Sequence, residues 1–180
     1  LTIIKRADEF QTGYKYLISR DEYPDEITDL SLQVRAFGDS EIHVNAEIIP
    51  NAAWKSARAK ALFYFILDRG KVKRDDIALE FWPDFSNAKV NSNFHATLWR
   101  VRNALGSKHI IAFDGEYYSI NQQVDLFYDV TEFEELLSTL NNPGLNEFEL
   151  RSQYQQALGL YQGDFLLDID MPWSDMRRNQ

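Results

Sequence analysis

The chain has 180 residues, with 19 Lys and Arg against 28 Asp and Glu, a formal net charge of −9, and no cysteine. A hydrophobic share of 44% and an aromatic share of 14% exclude a disordered chain. The lack of cysteine excludes disulfides and thiolate metal sites, and no run approaches about 20 apolar residues, so no membrane-spanning helix is expected. The charge is uneven. Residues 51–112 carry 11 Lys and Arg against 5 Asp and Glu, a net of +6, while the rest carry 8 against 23, a net of −15. A basic block of this kind is the electrostatic footprint of a nucleic-acid-binding module. The plainer alternative is a positive face docked on the chain's own acidic parts.

Residues 1–30 are expected to be a linker or the tail of an upstream domain. LTIIKRADEF reads as a short helix or strand, and the acidic stretch DEYPDEITD with Pro24 reads as a linker. The start at Leu1 and the stop inside a last element suggest a piece of a longer protein. From Ser31 the period is two. SLQVRAFG (31–38), EIHVN (41–45) and AEIIP (46–50) are expected strands, with the turn at Asp39-Ser40 and an end at Pro50.

The period then becomes helical. SARAKALFYFILDRGK (56–71) places Ala57, Ala61, Leu62, Phe65 and Ile66 at helical spacing, with Gly70 past its end. KRDDIALEFWPD (73–84) is a shorter helix, with Asp75 and Asp76 in its first turn and Pro83 ending it. A third helix is expected over 87–105, capped by Ser86 or Asn87 and stopped by Gly106. HIIAFDGEYYSI (109–120) is a hairpin about Asp114-Gly115. Thr131 and Glu134 suggest a capping box for a helix over 131–140, and Asn141-Asn142-Pro143-Gly144 is a break. A helix over 146–161, a connector over 163–172 and a last helix from Trp173 complete the chain. The expected domains are 31–124, a winged helix-turn-helix with an N-terminal antiparallel sheet, and 125–180, the start of a helical segment. The fold class is α+β.

The third helix is the most informative stretch. At 100° per residue Val90, Phe94, Leu98, Val101 and Leu105 share a face within about 40° of Phe94. The opposite face carries Lys89, Ser92, Ala96, Trp99, Arg100 and Asn103, with His95 and Arg102 on one flank and Asn93 and Thr97 on the other. No acid occurs from Ser86 to Ile111. Such a face can lie against phosphates. Arg100 and Arg102 can bond phosphates or guanine edges, and Ser92, Asn93, His95 and Thr97 can reach base edges. Ala96 permits close approach or meets a thymine methyl. Alternatives stand beside these roles: Arg102 paired with Asp76 or Glu80, Trp99 packed against the C-terminal segment, and His95 simply solvated. Lys55 and Arg58 lie at the start of the first helix, where the dipole favours a phosphate. Lys71, Lys73 and Arg74 form a further basic cluster.

These words occur in a familiar order. The stretch SARAKALFYFILDRGKVKRDDIALEFWPD, then NSNFHATLWRVRNALG and GEYYSI, resembles the OmpR-type winged helix of SARP-type transcriptional regulators. TEFEELL, then YQQALGLYQGDFL and Trp173, is similar to the opening of the bacterial transcriptional activator domain that follows it, a TPR-like helical bundle. The resemblance implies a cytoplasmic bacterial protein of signal transduction. It would bind double-stranded DNA as an activator, on direct repeats and as a homodimer on DNA, and offer a surface to RNA polymerase. It also implies DNA-facing positions at Ser92, Asn93, His95, Ala96, Arg100 and Arg102. The acids Asp114 and Glu116 at the hairpin tip depart from the family pattern, and Lys108 and His109 at its base offset them only in part.

The rival expectation is a winged-helix scaffold that has lost specific DNA binding. An enzyme is not expected. His43, His95 and His109 lack metal spacing, and no phosphate loop or nucleophile motif occurs, so neither cofactor nor metal is implied. Asp164, Asp168 and Asp170 read as a solvated connector.

Overall fold

A computed structural model describes residues 30–140, 144 and 146–179. The expectations for 1–29 and for the break at 141–143 lie outside the described residues. The architecture is mixed α+β: seven strands in two sheets and six α-helices among the described residues.

Strands β1 (Ser31–Arg35), β2 (Glu41–Val44) and β3 (Glu47–Ile48) form an antiparallel meander. Alternation turns Leu32, Val34, Ala36 and Ile42 inward, all at most 2% exposed. A short 3-10 turn at Asn51–Trp54 then leads into α1 (Ala57–Arg69). This helix is buried continuously from Ala59 to Leu67, because it lies between the first sheet on one side and other helices on the other. The Tyr64 hydroxyl donates to the carbonyls of Arg35 at 3.0 Å and Glu41 at 3.4 Å, which seats α1 on the sheet. Gly70 takes the positive φ of 69° that ends the helix.

Strand β4 (Val72–Lys73), α2 (Arg74–Phe81) and α3 (Asn87–Ala104) follow, then β5 (Ile111–Phe113) and β6 (Tyr117–Ile120). β4 pairs with β6 and β6 with β5, giving the second sheet in the order β4-β6-β5. The expected inner face of α3 packs as read: Phe94, Leu98 and Val101 are buried, and Val90 lies against the core.

The first sheet corrects one expectation. It is mixed rather than antiparallel, because β7 (Asp125–Tyr128) pairs with β1 in parallel, in the order β3-β2-β1-β7. The boundary expected between 124 and 125 therefore falls at the start of a strand of the first sheet. The helix after it, α4 (Asp129–Leu140), begins two residues before the expected Thr131. The capping box is not formed, because Asp129 turns back instead. Its carboxylate accepts from the Ala36 amide at 2.9 Å and the Phe37 amide at 3.1 Å.

Helix α5 (Glu147–Leu160) starts with a reciprocal Asn146–Glu149 capping box and packs on α4. The connector returns to the sheet, and α6 (Pro172–Arg178) closes the described chain. Gly38 and Gly163 allow this return. A Cβ on Gly163 would lie 3.1 Å from the Gly38 Cα, and both glycines have positive φ, +153° and +86°. Trp173, 2% exposed, stacks edge-on against Phe65 of α1, and Arg177 bonds Asp68 and Glu134. Val130 of α4 and Trp173 of α6 thus belong to one core with the strands and helices before them.

Candidate nucleic-acid interface

Helices α1 and α3 differ from the other four described. α2, α4, α5 and α6 each carry at least one acid in the first turn, whereas α1 and α3 carry none. Their N-cap residues, Ser56 and Ser86, make no side-chain capping bond. The first-turn amides of both helices are therefore uncapped by side chains, and the positive dipole end is unopposed. Cations stand beside both ends. Lys55 and Arg58 flank the start of α1 and are exposed, and exposed Lys89 lies in the first turns of α3. Arg58 lies over the Trp82 ring at 6.0 Å and Lys89 over Phe85 at 5.7 Å. Neither has an ion pair among the described residues, nor have Lys55 and Arg100.

The residues expected on the outer face of α3 divide. Ser92 and His95 are exposed; Asn93, Ala96 and Arg100 are half-buried. The Asn93 side-chain amide nitrogen donates to the Lys89 carbonyl at 2.8 Å. Although His95 reaches solvent, its ring is partly desolvated beside Phe94, and this, reinforced by the positive charges of Arg74 and Arg102, holds the imidazole below its usual value. It is therefore uncharged at neutral pH and can act as a hydrogen-bonding group.

Thr97 is a correction. It is 4% exposed, and its hydroxyl donates to the Asn93 carbonyl at 2.7 Å, so it belongs to the packed side of α3. The flank assigned to it by helical angle faces a cleft that α1 and the connector also line. Arg102 is half-buried and its guanidinium donates to the Ile111 carbonyl at 3.2 Å, tying α3 to the hairpin. Lys108 is half-buried. Trp99 keeps 41% of its surface exposed rather than being enclosed by the C-terminal segment.

The acidic hairpin tip is answered by the basic cluster before α2. Lys73 Nζ lies 2.6 Å from Glu116 and 5.1 Å from the Tyr117 ring centre, and Lys71 lies 4.0 Å from Asp114. The Glu116 bond holds the Lys73 ammonium above its usual value. The Tyr117 and Glu116 amides, with Lys71 beyond them, hold the Asp114 carboxyl below its own. Arg74 is engaged too, with Asn91 at 3.1 Å and Asp75 at 3.6 Å. The β4–β6 pairing causes this neutralisation by laying residues 72–73 beside 117–118.

A cleft of about 490 Å³ opens between the start of α1, the middle of α3 and the connector. Ser56, Ala57 and Arg58 form one wall, Asn93, Thr97 and Arg100 a second, and residues 168–171 a third. No local pattern in the sequence signals that the connector reaches this place. Asp168, expected in solvent, bonds Lys60 and Ser40 instead. Among the described residues no group of His, Asp or Glu is placed to hold a metal ion, and no helix is long and apolar enough to cross a membrane.

No family model and no curated protein sequence matches the chain. Among solved structures the chain is similar to Mycobacterium tuberculosis EmbR in complex with a low affinity phosphopeptide. The TM-score is 0.66 at 15% identity, over 84% of this chain and 41% of that one. The chain thus spans less than half the length of that protein, and what the two share is the mixed α+β fold.

Proposed function

We propose that the chain is a sequence-specific DNA-binding transcription regulator of the SARP type, acting as an activator. In this reading α1–α3 with the β5–β6 hairpin form an OmpR-type winged helix-turn-helix. Helices α4–α6 open a TPR-like bacterial transcriptional activator domain. The mixed α+β fold shared with EmbR supports the coarse reading. The observation that carries DNA binding is the acid-free outer face of α3, with Lys89 and Arg100 uncommitted to any acid, beside the uncapped start of α1.

The mechanism follows from that placement. The +6 block captures duplex DNA, the α1 and α3 N-termini with Lys55, Arg58 and Lys89 hold phosphates, and Ser92, Asn93, His95, Ala96 and Arg100 read base edges in the major groove. The hairpin tip, neutral through Lys71 and Lys73, touches the backbone without strong attraction or repulsion. Binding rather than catalysis is the task, performed in a bacterial cytoplasm on direct repeats, with a second copy of the chain on DNA and RNA polymerase as the protein partner.

The test is titration of a pool of labelled duplexes at several salt concentrations. Affinity should fall with a log–log slope of about −0.9 per phosphate neutralised. Arg100→Ala should cost about 1–3 kcal/mol if Arg100 reads a base bidentately. Salt-dependent binding that the variant keeps would move the interface to another face of the molecule. Absence of binding would favour a scaffold.

A further inference from the structure

The segment between α5 and α6 is stitched to the end of β1. The Gly38 amide donates to the Asp164 carbonyl at 2.9 Å, the Leu166 amide donates to the Ala36 carbonyl at 2.7 Å, and Phe37 pairs with Phe165. Asp168 is then held from two sides. It accepts from the Ser40 hydroxyl at 2.7 Å and amide at 3.2 Å, and from Lys60 Nζ at 2.8 Å. Lys60, on α1 and only 8% exposed, also donates to Asn51 at 2.6 Å.

This clamp positions Asp170. The residue is exposed, has no hydrogen bond or ion pair among the described residues, and lines the same cleft as Arg58 and Arg100. Two guanidinium groups without an ion pair, that of Arg58 lying over Trp82, and one unpaired carboxylate therefore share one cleft. The ionisable residues lining it are Arg58, Lys60, Arg100, Asp168 and Asp170, a sum of +1. Withdrawal of the connector would remove both carboxylates and unmask Lys60, leaving +3.

We propose that the clamped connector is an electrostatic brake on the DNA-binding face. Asp170 opposes a DNA phosphate at Arg58 and Arg100, and lifting residues 168–171 off Lys60 and Ser40 raises affinity for duplex DNA. This rests on the DNA-binding reading above. The groups line one cleft, and charges closer than the screening length of about 10 Å at 0.1 M salt feel one another through it. An incoming phosphate meets both signs at once.

The experiment measures duplex DNA affinity for the 180-residue chain and three variants, each with its fold checked by circular dichroism. Asp170→Asn should bind about two- to five-fold tighter at about 50 mM salt and converge with wild type near 1 M, where the screening length falls to about 3 Å. Asp168→Asn, which removes the ionic hold on the connector, should gain at least as much. Glu132→Gln on α4, with the same charge change outside the cleft, should gain less than either. Equal gains in all three variants, or wild-type affinity in Asp170→Asn, overturn the brake while leaving DNA binding standing. A gain in Asp170→Asn with none in Asp168→Asn overturns the clamp. Binding by Asp170→Asn where wild type shows none supports the brake in its strongest form. No binding by any of the four chains overturns both readings.

Discussion

His95 shows how one side chain reports its surroundings. It lies on α3 after the buried Phe94, whose ring it meets at 5.4 Å, and near the charges of Arg74 and Arg102. Burial first, then those charges, lowers its folded pKa below the ordinary value of about 6.5. As pH falls through that value the unfolded chain takes the proton first. Stability therefore declines with falling pH until the lower, folded pKa is passed. Denaturant unfolding at about pH 7.5 and 5.5 should show this loss, and His95→Gln should lessen it. An unchanged pH dependence in the variant would mean that other groups govern that window. Thr97, two residues on, makes the opposite point. Its hydroxyl donates to its own helix, as threonine at this spacing commonly does, so that proton is committed locally.

At the scale of elements, the helix N-termini sort by charge. Four described helices begin with acids that oppose their own dipoles, while α1 and α3 carry no such acid. If Arg58 at the α1 start neutralises one phosphate, Arg58→Ala should reduce the magnitude of the log–log salt slope by about 0.9, and weaken binding to all duplexes alike. A variant with an unchanged slope would place Arg58 off the DNA, stacked on Trp82 only. The hairpin belongs to this scale too. A tip that reads as repulsive in isolation becomes neutral once β4 brings Lys71 and Lys73 alongside.

For the whole molecule, Asp129 is the decisive junction. It is 2% exposed, starts α4, and receives amides from the end of β1, so it fastens the helical segment to the first sheet. Asp129→Ala leaves two backbone donors without their acceptor and should destabilise the chain by about 2–4 kcal/mol, read by chemical denaturation. A cost under about 0.5 kcal/mol would mean that water or a neighbour replaces the carboxylate. The same junction governs any truncation. Removing residues from 126 onward would strip β7 from β1 along with the helices, so a lost activity would report a damaged sheet as readily as a missing activation surface.

The identity and inner face of α3, the period-two strands, the Asp114-Gly115 turn and the basic block were all legible in the residues. Each depends on neighbours a few positions apart, and the acid-free run from Ser86 to Ile111 is itself a local fact. Tertiary structure alone decided which of those features remain available. It paired β7 with β1 across 94 positions, laid Lys73 on Glu116, enclosed Thr97, and brought Asp170 to the cleft of Arg58 and Arg100. Such contacts join segments far apart in the chain. They are selected by packing and charge complementarity in the folded state, and no periodicity or spacing encodes them.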